Sequence, residues 1–391
     1  MLKVALGQSK MLSKPISGVL HLIVYIGFII INIELLEIIL DGLLGTHRLF
    51  APYLGSFYNF LIGSFEILAA FVIFSVIFFW TRRNLIKIRR FWSPEMTGWP
   101  KRDADIILFF EIILMSLFLS MNSTDLLLQN LESPNYLKAG SFPVSQFLTP
   151  FFNSFTHETL IIFERTFWWL HITGILIFLN YLYYSKHLHI LLAFPNTFFA
   201  NLDPKGKFNN NKMVYREVKQ MLEPNSDPYL TNDNNPDQSK FGVSDVLDLN
   251  WIQLMNSYSC TECGRCTAEC PANQTGKLLS PRKIMMDTRD RLEEVGRNIS
   301  LNGSFKDDGN ELLDNYVTKE EIWACTSCNA CVEACPIGID PLSIIMEMRQ
   351  YLVLEESSAP SDLNNMMNNI ENNGAPWPFN NQDRLLWAED N

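Results

Sequence analysis

The sequence predicts an all-α protein, a bundle of four transmembrane helices followed by a cytoplasmic α-helical domain rich in cysteine. Three observations carry this expectation. Residues 1–200 are crowded with Leu, Ile and Phe, whereas the remainder is rich in Asn, Asp, Glu and Ser, so a mean hydropathy near zero averages two different solvents. All eight cysteines fall between Cys260 and Cys335, with none in the 259 residues before them, which is not how a disulfide framework is distributed. Those cysteines also repeat one twelve-residue pattern twice. The net charge of -11 comes largely from the second half and argues against a nucleic-acid partner, which normally meets a basic face.

The first expected domain, 1–200, holds four apolar stretches at 17–40, 60–80, 104–121 and 159–184, each near the roughly 20 residues that a spanning helix needs. The first is too long for a cleaved leader, carries Glu34 and Glu37, and has no small-residue cleavage site after it, so it is expected to stay attached. Arg82, Arg83, Lys87, Arg89, Arg90, Lys101 and Arg102 lie between spans two and three, against Arg48 and Lys138 in the other two loops. The positive-inside rule then places 82–102, the N-terminus and everything after Lys186 in the cytoplasm, in a multi-pass protein of the inner membrane. Acidic residues inside spans are costly, so Glu34, Glu37, Glu66 and Glu111 are noted as proton or quinone contacts, against the plainer reading of pairing with buried donors.

All six histidines, His21, His47, His157, His171, His187 and His189, lie in or beside the spans. Neutral imidazole is a common axial ligand of haem iron, and a bis-His site needs one histidine from each of two helices at one depth. His21 enters span one and His187 or His189 leaves span four, both at the cytoplasmic side. On a continuous helix the 18 residues from His171 to His189 make five turns, placing both on one face about 27 Å apart, with His187 pointing elsewhere. His189 would then serve an inner haem and His171 an outer one. The alternative is that such histidines simply sit at headgroup level or cap helix ends.

Residues 201–250, with Pro204, Gly206, Asn209 to Asn211 and Asp233 to Pro236, read as a turn-rich connector. The cluster domain, 251–354, carries C-x2-C-x2-C-x3-C-P from Cys260 and again from Cys325. In such runs three cysteines wrap one cubane and the fourth, released by the proline, ligates the other cluster. One 4Fe-4S cluster is therefore assigned to Cys260, Cys263, Cys266 and Cys335, and the second to Cys325, Cys328, Cys331 and Cys270. Zinc would need four ligands per site and gives no reason for the third C-x2-C step, the C-x3-C-P ending or the repetition. Helices are expected over Pro281–Val295 and Pro341–Leu354. The Asn-rich tail, 355–391, reads by composition as a loose segment that contacts a partner.

From His171 through Ser185, Lys186, His189 and Pro195, the sequence resembles the last helix of the nitrate reductase gamma subunit family, which includes cytochrome b subunits attached to heterodisulfide reductase-like proteins. That resemblance implies an inner haem b held by His21 and His189. The family's partner helix carries a second histidine ten residues on, where this chain has Ile31, so a second haem on His171 would need His47 or His157. The 54 residues between the motifs and the stretch Trp323 to Cys328 resemble the helical dicluster ferredoxin of heterodisulfide reductase C-type subunits. Asn373 to Trp377, with Arg384 and Trp387, is similar to the linker that leads into a cysteine-rich CCG domain in fused relatives. A CCG-type or flavin-containing partner is thus expected as a separate cytoplasmic subunit.

The expected function is electron transfer between that partner, the two clusters, haem b and a membrane quinone, as part of an oxidoreductase complex. Direction is not encoded. The rival is a haem-free redox sensor or assembly anchor, whose membrane half only tethers. A transporter is disfavoured by the few spans and the absence of a repeat.

Overall fold

The computed structural model describes residues 1–204, 206–207, 211–222, 240–380, 383 and 385–389. Among these residues the regular structure is helical and no β-strand forms. Four helices are long and apolar enough to cross a membrane: α1 (Pro15–Leu44), α2 (Ser56–Asn84), α3 (Trp99–Asn130) and α4 (His157–Leu182). At about 1.5 Å per residue each exceeds a hydrocarbon core of roughly 30 Å. The first three run past both expected limits, and α4 stops two residues short of position 184.

Local chemistry sets the ends. Pro15 occupies the first turn of α1, where its missing N–H costs nothing, and Gly45 closes the helix at φ 69°. Thr156 caps α4 by accepting the Thr159 N–H on its hydroxyl. Buried Ile62, Phe65, Val72, Phe118, Ile172 and Phe178 share one core between the spans. Ile29, Phe60, Phe74, Ile113, Trp169 and Leu176 are exposed, an apolar surface suited to lipid rather than water. Gly174 brings α4 close to α3, since a Cβ there would stand 2.7 Å from Leu114 Cδ2.

The fourth helix does not continue to His189. Ser185 is extended (φ -115°, ψ 151°) and its hydroxyl accepts the His187 N–H, after which α5 runs from His189 to Phe198. Asp103 at the start of α3 fixes the break by accepting from the Lys186 backbone N–H at 3.2 Å and the Tyr181 hydroxyl at 2.7 Å.

The chain divides into two compact units. One joins Met1–Ala200 with Met255–Glu269 and Val332–Ile339, and the other comprises Asn201–Leu254, Cys270–Cys331 and Asp340–Asn391. Two pieces of the cysteine-rich segment thus fold with the helix bundle. The connector contains helix α6 (Lys212–Leu222), and Asn209, Asn210 and Asp233 to Pro236 lie outside the described residues.

After α7 (Trp251–Ser259), the second unit is built around α8 (Pro281–Asn302), the short α9 (Lys319–Ala324) and α10 (Pro341–Leu354), the outer two spanning the stretches expected to be helical. Fully buried Arg291 of α8 bridges Asp245 at 2.9 Å and Asp308 at 2.6 Å, so its guanidinium is paired on both edges. Gly242, at φ 75°, passes so close to α10 that a Cβ would stand 2.3 Å from the Glu347 carbonyl oxygen. The tail departs from expectation: Ser361–Asn373 forms α11, closed by Gly374 at φ 68°. Asparagine side chains bond back along this helix, as Asn372 does to the Asn368 carbonyl at 2.9 Å, so a composition poor in apolar residues still forms a solvated helix. Arg384 of the expected linker lies outside the described residues.

Candidate cluster and haem sites

Both cysteine loops have the same backbone. In the first, Glu262 (φ 56°) and Gly264 (φ 70°) are left-handed; in the second, Ser327 (φ 56°) and Asn329 (φ 60°) are left-handed at the equivalent positions. Two such residues within three positions tighten each loop between the first and third of its cysteines. Glu262 and Ser327 hold this conformation although neither is glycine. Pro271 and Pro336 then redirect the chain after the fourth cysteines.

The compact units divide the eight cysteines into Cys260, Cys263, Cys266 and Cys335 in one, and Cys270, Cys325, Cys328 and Cys331 in the other. Burial pushes the Cys260 thiol up to about 12, with nearby Cys263 and Cys335 adding to the rise. Burial and then Cys263 push Cys335 up to about 11. Cys325 is also raised, chiefly by burial, with Cys270 and Cys328 within charge range, while the Ser327 N–H donates to its sulfur at 3.4 Å. Among the described residues no three His, Cys, Asp or Glu side chains stand close enough to enclose a single metal ion. A cubane places a separate iron behind each thiolate and needs a wider ring. The buried Cys260, Cys270 and Cys331, N–H donation to the Cys325 sulfur and paired left-handed turns fit such a group.

Each loop is held by a cation, buried at the first and half-buried at the second. Lys186, between α4 and α5, donates to the Glu262 carboxylate of the first loop and to the Pro100 carbonyl at 2.5 Å, with Asp103 3.9 Å away. Burial pulls the Lys186 ammonium below its usual range, and Glu262 acts in the opposite sense. Asn196 of α5 donates to the Ile337 carbonyl at 3.0 Å, fixing the Cys335 segment to the same bundle. In the second unit Arg349 of α10 donates to the Ile322 carbonyl at 2.8 Å and the Cys325 carbonyl at 2.5 Å.

At this end of the bundle, three histidines gather. His21 of α1 lies within charge range of His189 and of Arg265 from the first cysteine loop. His187, expected to point away, stands half-buried beside them, its ring 5.4 Å from that of His189. The interrupted helix explains this, because the five-turn relation between His171 and His189 holds only for a continuous one. His189 Nδ1 donates to the Lys186 carbonyl at 3.2 Å, which leaves the Nε2 lone pair available to a metal. His21 Nδ1 is buried without a partner. This pair fits a bis-His haem.

His171 sits deeper, 2% exposed, with Nδ1 donating to the Leu114 carbonyl at 3.0 Å and Nε2 again free to accept. It lines a cavity shared by all four spans, with Ile31 also in the wall. The histidines expected to partner it are elsewhere. His47 Nε2 faces Asp125 at 3.3 Å and its ring packs edge-on to Tyr136, while His157 Nε2 meets the Ser133 hydroxyl at 3.1 Å. Neither lines the cavity, so no second bis-His pair is assembled.

Sequence reading also missed a buried polar network. Arg48 donates to Asp125 (2.8 Å), Tyr58 (3.1 Å) and Asn122 (3.1 Å). Tyr58 donates to Glu37 at 2.7 Å, and Asn122 to Glu66 at 3.2 Å. Glu66 also accepts the backbone N–H groups of Val144 and Ser145. Glu37 and Glu66 thus follow the plainer reading of paired carboxylates. Asp125 escaped notice because the third span was expected to end at 121; a charged residue on an apolar helix was the available signal.

The family described as the 4Fe-4S dicluster domain matches residues 259–339. The chain is 27% identical to the probable iron-sulfur-binding oxidoreductase FadF of Bacillus subtilis, over 98% of this chain and 54% of that protein. It is 26% identical to the EtfAB:quinone oxidoreductase of Syntrophomonas wolfei, over 98% of this chain and 52% of the relative. The C-type subunit of the ferredoxin/F(420)H(2)-dependent CoB-CoM heterodisulfide reductase from Methanosarcina acetivorans is 31% identical over 30% of this chain and 58% of its own length. The chain therefore spans about half the length of the full-span relatives it matches. No solved structure matches it. The chain is a helical protein with four candidate membrane helices and a 4Fe-4S dicluster domain after them, similar to iron-sulfur oxidoreductases and heterodisulfide reductase C-type subunits.

Proposed function

We propose that this chain is a membrane-bound electron-transfer protein, one subunit of a larger complex, which carries electrons between a cytoplasmic redox partner, two 4Fe-4S clusters, haem b and the quinone pool. One observation carries the reading: the first cysteine loop and Cys335 fold in the same unit as the helix bundle, with Arg265 of that loop in charge range of His21. A bare tether has no need of this contact. Cys260, Cys263, Cys266 and Cys335 hold one cluster, Cys325, Cys328, Cys331 and Cys270 the other, and His21 and His189 hold the haem. When bound, clusters and haem supply one-electron exchange. The chain itself fixes the ligands: Lys186 positions Glu262 in the first loop and presents the carbonyl that orients His189.

The basic loop between α2 and α3 supports a cytoplasmic face for the cysteine-rich half. The resemblance to the nitrate reductase gamma subunit supports the haem, the name EtfAB:quinone oxidoreductase borne by one relative supports a quinone, and the resemblance of the tail to a linker supports a flavin-containing or CCG-type partner. One haem b is expected, because His171 has no histidine opposite it.

The test is reoxidation of the dithionite-reduced, detergent-purified chain by decyl-ubiquinone, followed at the cluster and haem bands. The expected result is rapid reoxidation that slows in His21→Ala with both clusters retained. Equal rates in the two proteins would remove the haem from the route, and a chain with clusters but no haem would favour the sensor or anchor.

A further inference from the structure

The cavity beside His171 is not accounted for by the cluster ligands or the His21–His189 pair. It is a cavity of about 80 Å³ between α1, α2, α3 and α4. Its wall is apolar apart from a few groups, among them Glu34, Glu111, Asn32 and His171. Glu34 is only 4% exposed, and its Oε2 is buried without a hydrogen-bond partner. An unsatisfied carboxyl oxygen inside a membrane span is costly, and the cost is relieved by a ligand that bonds to it. His171 has its tautomer fixed by the Leu114 carbonyl, so Nε2 presents a lone pair.

Two kinds of occupant suit an apolar membrane cavity with these groups. A haem would find one axial histidine but Ile31 instead of a second, and no Lys or Arg in the wall to meet its own two carboxylates. A quinone brings a flat apolar ring and two oxygens that bond to carboxyl groups, and takes up protons as it is reduced. We propose that this cavity binds the quinone headgroup, with Glu34 and Glu111 bonded to its oxygens and His171 Nε2 accepting from a quinol hydroxyl. The assignment rests on the quinone-linked reading above and gives it a location.

The chemistry balances within that assignment. Reducing a quinone to a quinol takes two electrons and two protons. The electrons come singly from the iron-sulfur and haem carriers, and Glu34 and Glu111 as carboxylic acids each give one proton to one ring oxygen, becoming carboxylates. Quinol oxidation runs the same transfers backwards. Glu37, Glu66, Asp125 and Arg48 lie within charge range of Glu34, and Asp125 faces His47 of the α1–α2 loop at 3.3 Å.

The test is titration of the full detergent-purified chain with 2-heptyl-4-hydroxyquinoline N-oxide, a quinone analogue whose fluorescence is quenched on binding. Haem and iron are counted in every variant. Wild type is expected to bind one equivalent, Glu34→Gln to bind about tenfold more weakly, as expected for loss of a charge-assisted hydrogen bond, and the cavity-filling Ile175→Trp to abolish binding, all with unchanged haem and iron. Should either variant lose its clusters, His171→Leu and Glu111→Gln replace it, with weakened binding expected again. Saturable binding untouched by these variants would overturn the cavity assignment while leaving the quinone reading intact. Absence of binding by wild type would overturn both. Loss of one haem in His171→Leu would assign the cavity to haem instead.

Discussion

Lys186 and Glu262 form an ion pair with both side chains almost wholly buried, and their energetic roles are unequal. Removing one partner strands a charge, which costs about 3–5 kcal/mol, whereas replacing both with apolar groups is often neutral. Lys186→Met should therefore lower the temperature at which cluster absorbance is lost, and Lys186→Met combined with Glu262→Leu should recover most of that loss. A double variant as weak as the single one would mean that the lysine acts through something other than this pair. The pair is not legible in the sequence, where Lys186 belongs to a family resemblance and Glu262 lies between Cys260 and Cys263. A pair separated by 76 residues leaves no local mark in the sequence.

Elements were read more surely than their ends. Long apolar runs identify four spans because no other local pattern keeps a segment of that length in lipid. The break before His189 was missed because it depends on Asp103, more than eighty residues away, accepting the Lys186 N–H. α11 was missed because composition measures the capacity to form a core, and a solvated helix capped by glycine needs none. In the cysteine loops spacing alone fixes which sulfurs share a loop. A separation of effects follows: Cys335→Ser should lose the cluster assigned to the bundle unit and Cys270→Ser the other, each removing about half the iron without the same electron paramagnetic resonance signal. Identical residual spectra would contradict the crossed assignment. At the contact between α3 and α4, Gly174→Leu should separate the helices at a cost of about 1–3 kcal/mol, the usual range for overpacking. Its thermal midpoint should fall accordingly, and an unchanged midpoint would show that the close approach is not needed.

For the whole molecule, the sequence separates a lipid half from a cluster half, and the structure adds that the cluster half is divided between two units. That division gives the anchoring segments a purpose beyond attachment. If the basic 82–102 loop faces the cytoplasm, a cysteine introduced at exposed Leu137 should be labelled from the outside of intact cells by a membrane-impermeant maleimide, and one at exposed Trp92 should not. The reverse pattern would invert the orientation. The central claim is that the bundle holds a haem on His21 and His189 next to a cluster loop. Its most direct measurement is the dithionite-reduced minus oxidised spectrum of the purified chain, with pyridine haemochrome quantification, beside His21→Ala and His189→Ala. The account predicts one b-type haem per chain, lost in both variants while iron and sulfide remain; iron and sulfide without any haem in the wild-type chain would contradict it.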